Sequence, residues 1–299
     1  MRTVLAIMLV LQLLSTFNYA LAQKGSKTPK GQKGRPAAAN TQFTASRVST
    51  PIYPVSHWVE ISKSCTAEKT KMIDDWIVDV YNMTYEADSM TRDHAVFNRY
   101  FFREDFPKFK AKIQSFNSRA GLADGGRYKL ACGDHRPLAS DICSGPSQWV
   151  AVKPAQNLLW LCPRMFADDG KATLSSKPFD DSQDGWCEPT PHHFGSYVHS
   201  ARVLMLGMAR LEVFSELGAM PYVGVYHEND VPLWKAARNL KSKYTTLRAE
   251  WEHSDPRRRG HPPLPPIQNA ESYAASILEF YFTRKCGKNF DPEMLYTGS

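Results

Sequence analysis

The chain has 299 residues, 42% of them hydrophobic, with a formal net charge of +7 and six cysteines. That apolar content supports a packed core and excludes a wholly disordered chain. The positive charge does not describe the whole surface. Lys24, Lys27, Lys30, Lys33 and Arg35 lie together with no acid among them. With those and Arg2 set aside, the rest carries only about +1, which excludes a basic nucleic-acid-binding face.

In chain order, residues 1–22 read as a secretory signal peptide. Arg2 precedes an apolar run from Val4 to Leu14, and Ala20-Leu21-Ala22 supplies small residues for cleavage after Ala22. Residues 23–50 are rich in Lys, Gly, Ser, Thr and Pro and read as a basic disordered arm. Residues 51–299 keep one composition throughout and read as a single domain of about 250 residues. These features imply a secreted, extracellular protein with no transmembrane anchor.

Within the domain, Met72, Ile73, Trp76, Ile77 and Val80 recur at helical spacing and predict a helix over 68–81, starting near Thr66 or Ala67. Aromatic residues from Phe97 to Phe116 predict two helices separated near Pro107. Tyr128 to Cys132, Trp149 to Val152 and Leu158 to Cys162 are short apolar runs bounded by Gly, Pro and Asn, which suits strands. Helical periods return over 197–217, 231–244 and 270–282. The implied class is α+β, helix-dominated, with a small β-sheet.

Cys65, Cys132, Cys143, Cys162, Cys187 and Cys286 contain no C-x-x-C pair and all follow the signal segment. They read as structural disulfides, with every pairing open at this point. Asn82-Met83-Thr84 is an N-glycosylation sequon. No complete catalytic signature is present: the sequence has no H-E-x-x-H, no G-x-S-x-G and no phosphate-binding Gly-rich loop. His192, His193, His199 and His227, with Asp230, are the candidates for a displaced His-based metal site. His199 has Val203 at i+4, so no helical His pair forms there.

Three segments in order carry a resemblance: Cys132-Gly133-Asp134, the run Asn157 to Phe166 with its Cys162-Pro163, and Asn269-Ala270-Glu271-Ser272-Tyr273-Ala274. Over residues 65–286 the chain resembles the deuterolysin and lysine-specific metalloendopeptidase group of secreted fungal enzymes, the aspzincins. The resemblance implies a zincin-like metallopeptidase fold and a zinc held by H-E-x-x-H and a downstream Asp.

In that alignment the first His becomes Leu206, the Glu becomes Gly207 and the second His becomes Arg210, while Asp230 matches the third ligand. An alternative register begins at His199, with Ser200 for the Glu and Val203 for the second His. Either way the chain is a degenerate member, a secreted pseudopeptidase expected to hold no cofactor and to bind an extracellular peptide, protein or cell-wall polymer as a monomer. The alternative is an active zinc endopeptidase with a displaced site. The resemblance also implies disulfides in sequence order: Cys65 with Cys132, Cys143 with Cys162, and Cys187 with Cys286. Arg210 is expected to pair with Asp230 in place of the ion.

Overall fold

A computed structural model describes residues 59–117, 128–133, 143, 149–167, 172–188, 194–197, 199–211, 214, 233–256 and 262–289. These residues all belong to one compact unit, Arg47–Ser299. It is helix-rich with a small mixed sheet and three disulfides, an α+β architecture.

The sheet has four strands in the order β1-β2-β4-β3, with β1 at Val59–Ile61, β2 at Tyr128–Cys132, β3 at Val150–Lys153 and β4 at Leu158–Leu161. β1 and β4 both run parallel to β2, and β3 closes the edge as an antiparallel hairpin partner of β4. That hairpin turns through Pro154–Gln156 and then Asn157, whose φ of 48° is left-handed. Asn tolerates this region better than other residues with a Cβ.

Six α-helices are described: α1 Ala67–Ala87, α2 Ala95–Tyr100, α3 Phe106–Asn117, α4 Ser200–Met208, α5 Leu233–His253 and α6 Ala270–Cys286. α1 starts at the N-cap Thr66, whose hydroxyl accepts from the Lys69 N–H at 3.3 Å. It buries Ile73, Trp76, Ile77 and Val80, the stripe visible in the sequence, and runs beyond the expected end at Tyr81. α2 and α3 are separated as expected, but the break comes before Pro107. Pro107 lies in the first turn of α3, where its missing N–H costs no hydrogen bond.

α6 occupies the middle of the helical layer. Every residue from Ala270 to Phe282 is buried, with α1, α4 and α5 packed around it. A helix buried on all sides has no solvent stripe, so its polar residues must find partners inside. It is capped by Asn269, whose side chain accepts from the Glu271 N–H at 3.1 Å, and it ends at Gly287 with φ 63°.

Phe97, Phe101, Phe106, Phe109 and Tyr273 form one aromatic cluster of the core, with ring centroids 5.1–6.4 Å apart in the contacting pairs. Trp186, Tyr197, Phe282, Phe179 and Tyr281 form another.

The disulfides are Cys65–Cys132, Cys143–Cys162 and Cys187–Cys286, the sequence-order pairing. No described helix is long and apolar enough to cross a membrane.

Candidate functional site

α4 is the helix on which the resemblance places the metal-binding motif. It is shorter than the helix expected over 197–217. Phe194–Tyr197 forms a 3-10 turn, His199 is extended (φ −141°, ψ 174°), and regular helix begins at Ser200 and stops at Met208.

Its C-terminal end is held by Lys112 of α3. The buried Lys112 ammonium donates to the carbonyls of Ala209 at 3.0 Å and Phe214 at 2.5 Å. A cation there satisfies carbonyls that the helix cannot, and it meets the negative end of the helix dipole. Desolvation pushes the Lys112 pKa down to about 7.

One side of α4 rests on the sheet. A Cβ added to Gly207 would lie 3.0 Å from Val150 Cγ1 and 3.2 Å from Leu159 Cδ2. The position aligned with the catalytic Glu is therefore filled by β3 and β4 side chains. Leu206 and Arg210, aligned with the two His ligands, are half-buried, whereas Ser200 to Met205, Gly207 and Met208 are buried.

A buried cluster of charged and polar groups lies at the other end of α4. His199 is 1% exposed, with its ring 5.6 Å from that of Trp186 and 6.3 Å from that of Phe282. Neither imidazole nitrogen has a hydrogen-bond partner. Burial, aided by the nearby Arg202 guanidinium, pushes the His199 pKa down to about 3, so the ring is neutral.

Arg202 pairs with Glu271 of α6, with side chains 6% and 2% exposed. About two turns further along α6, Glu279 accepts from the Tyr100 hydroxyl at 2.7 Å. The same carboxylate pairs with Arg99 and lies 3.6 Å from the Arg238 Nε of α5. The Tyr100 hydroxyl feels the charges of Arg238, Arg99 and Arg202. Burial dominates there and holds the Tyr100 phenol well above its ordinary pKa.

Zinc is the ion the resemblance implies, and the described residues do not fit it. In the first register the ligand positions hold Leu206 and Arg210. In the second, His199 is followed by Val203 at i+4 and has the Arg202 cation beside it, which disfavours a divalent ion. Among the described residues no three His, Cys, Asp or Glu side chains group to hold a metal. His192, His193, His227 and Asp230 lie outside the described residues, as does the expected Arg210–Asp230 pair. The signal segment and the basic arm lie outside them too.

Asn82 of the sequon is half-buried on α1. Its Thr84 is fully buried, with the hydroxyl donating to the Val80 carbonyl at 2.9 Å and bonded to Asn117 Oδ1 at 2.7 Å.

Sequence reasoning missed the Arg202–Glu271 and Glu279 network. A signal existed, since Arg202 interrupts the apolar stretch 201–208 and Glu279 interrupts Ile277-Leu278 and Phe280-Tyr281-Phe282. A lone charge in an otherwise apolar helix is almost never fully buried without a partner. The partners, however, come from segments far apart in sequence. No protein-family model matches this chain, and no curated protein matches it either.

Proposed function

We propose that this chain is a secreted, metallopeptidase-like protein of the deuterolysin type that acts by binding an extracellular partner rather than by hydrolysis. The carrying observation is the state of α4. Where the resemblance puts the general base, Gly207 is packed on Val150 and Leu159. Where it puts the ligands, Leu206 and Arg210 cannot coordinate zinc. Without a base and a metal-bound water, the hydrolytic step loses both its nucleophile and its proton acceptor.

Secretion is supported by the signal-like segment 1–22 and by three disulfides, which persist in oxidising compartments. The partner in this reading is of peptide, protein or cell-wall polymer class, met in the extracellular space by a monomer.

The test is metal analysis of the protein purified from culture medium, joined to a protease assay with and without chelator. We expect less than stoichiometric zinc and no chelator-sensitive cleavage. Stoichiometric zinc with chelator-sensitive proteolysis would overturn the binding-protein reading in favour of a displaced His-based site.

A further inference from the structure

Glu68, Lys71, Asp75, Val78, Asn82 and Tyr85 follow one another along α1 at intervals of three and four residues, the spacing of a single helix face. That face is turned to solvent. Glu68, Lys71, Asp75 and Tyr85 are exposed and Val78 and Asn82 half-buried, while the opposite face buries Ile73, Trp76, Ile77, Val80 and Met83. The solvent face is charged over its first turns and becomes apolar around Asn82. Tyr85, 53% exposed, is the one exposed large hydrophobic side chain among the described residues. Its ring stacks on that of the half-buried Tyr81, with centroids 6.0 Å apart.

An acceptor for a covering group lies beside these rings. Asn82 opens the sequon Asn82-Met83-Thr84 and stands three residues before Tyr85, so the two are neighbours on the helix surface. Helical side chains lean toward the N-terminus, which brings the Tyr85 ring over the turn that holds Asn82. A pyranose has an apolar C–H face and a polar rim. A sugar hung from Asn82 therefore covers the rings while its hydroxyls stay in water. A protein partner fits this patch less well. Two tyrosine rings and Val78 fall well short of the roughly 800 Å² per side that a stable protein interface buries.

We propose that Asn82 carries an N-linked oligosaccharide whose first sugar packs against Tyr85 and Tyr81. In the transfer, the anomeric carbon of an N-acetylglucosamine bonds to Asn82 Nδ2 as its bond to a lipid-linked pyrophosphate breaks. Nδ2 loses one proton, and the lipid pyrophosphate departs. The secretory pathway supplies this lipid-linked oligosaccharide, so the assignment rests on the secretory part of the reading above and not on the loss of hydrolysis. The fold also sets the order of events. In the folded chain the Thr84 hydroxyl is fully buried, donating to the Val80 carbonyl and bonded to Asn117 of α3. The sequon is therefore read before α1 docks on α3.

The test is expression of the full chain in a eukaryotic host, with mass mapping of the peptide that spans Asn82 before and after treatment with a peptide-N-glycosidase. The expected result is a glycan on Asn82, marked by conversion of that Asn to Asp on release. Bare Asn82 in protein recovered from the medium overturns the proposal and leaves secretion standing. Bare Asn82 in protein retained in the cytosol overturns both. Thermal unfolding then tests the contact with the rings. Asn82→Gln is expected to lower the Tm by about 2 °C in the otherwise unaltered chain and hardly at all in a Tyr85→Ser background. Should Asn82→Gln not be secreted, enzymatic release of the glycan from the folded protein supplies the same comparison. Equal losses in the two backgrounds overturn the packing on Tyr85.

Discussion

Arg202 in the first turn of α4 and Glu271 in the first turn of α6 form an ion pair with both side chains almost wholly removed from solvent. Its effect on stability is conditional on both partners being present. Removing one leaves a desolvated charge unopposed, so Arg202→Met or Glu271→Leu alone is expected to cost about 3–5 kcal/mol. The double variant Arg202→Met/Glu271→Leu removes both charges and is expected to recover most of that loss. Urea denaturation of the four proteins measures the coupling. Additive losses would show that the two side chains do not act as a pair.

His199 makes stability depend on acid. Its folded pKa is about 3, against an ordinary value of 6.5. Between these values the unfolded chain binds more protons than the native one, so unfolding is favoured as pH falls. Stability is expected to drop from about pH 6.5 towards pH 3 by a few kcal/mol from this group. His199→Phe, which stays aromatic beside Trp186 and Phe282, should flatten that limb of the stability–pH curve. An unchanged slope would assign the acid sensitivity to other groups.

Asp79 works in the opposite direction. Buried in α1, it accepts from the Leu174 N–H at 2.8 Å, and burial lifts its pKa from 3.8 to about 7. The native state therefore holds a proton that the unfolded chain has lost, and this contribution, present below pH 3.8, disappears as pH rises through 7. Asp79→Asn keeps an oxygen for Leu174 and cannot ionise. It is expected to raise stability at pH 8 and to leave it nearly unchanged at pH 4, checked by denaturation at the two values.

The α+β class was legible because Ile73, Trp76, Ile77 and Val80 recur at helical spacing, and β2 and β4 are short apolar runs bounded by turn residues. The missing parts have physical reasons. β1 is three residues long, too short to show a period. The last turns of α5, beyond Tyr244, are largely exposed and polar, so they lack an apolar stripe and hold by helix propensity. α4 is buried almost all round, so apolar residues on every side hid where it begins and ends. At the site, the sequence placed Leu206 and Gly207 on one helix, and the structure has both on α4. The buried ion pairs were not legible, because Arg202 reaches Glu271, and Tyr100, Arg99 and Arg238 reach Glu279, only through packing of helices far apart in sequence.

Gly207 tests whether the motif that the resemblance implies could be built on α4. An alanine there gains about 1 kcal/mol in helix propensity, but its Cβ would press on Val150 and the fully buried Leu159. We expect the clash to win, with Gly207→Ala destabilising by about 1 kcal/mol and Gly207→Glu by more. The triple change Leu206→His/Gly207→Glu/Arg210→His should therefore confer neither zinc binding nor proteolysis. Stoichiometric zinc in that variant would contradict the packing argument.

The disulfide Cys187–Cys286 bears on the same site from outside. It joins the segment carrying Trp186 to the last turn of α6, across a sequence separation of 99 residues. A cross-link of that span restricts the unfolded chain strongly, so Cys187→Ala/Cys286→Ala is expected to cost about 2–5 kcal/mol. A second consequence separates local from global effects. Trp186 covers the His199 ring, and Lys288 supports that segment through Asp181 at 2.6 Å. Loosening the segment admits water to the imidazole and lets its pKa climb back towards 6.5. The acid limb of the stability curve should then become shallower in the disulfide variant even where it remains folded. A variant that loses stability equally at pH 4 and pH 8 would show that the bond acts on the unfolded chain alone and does not seal His199.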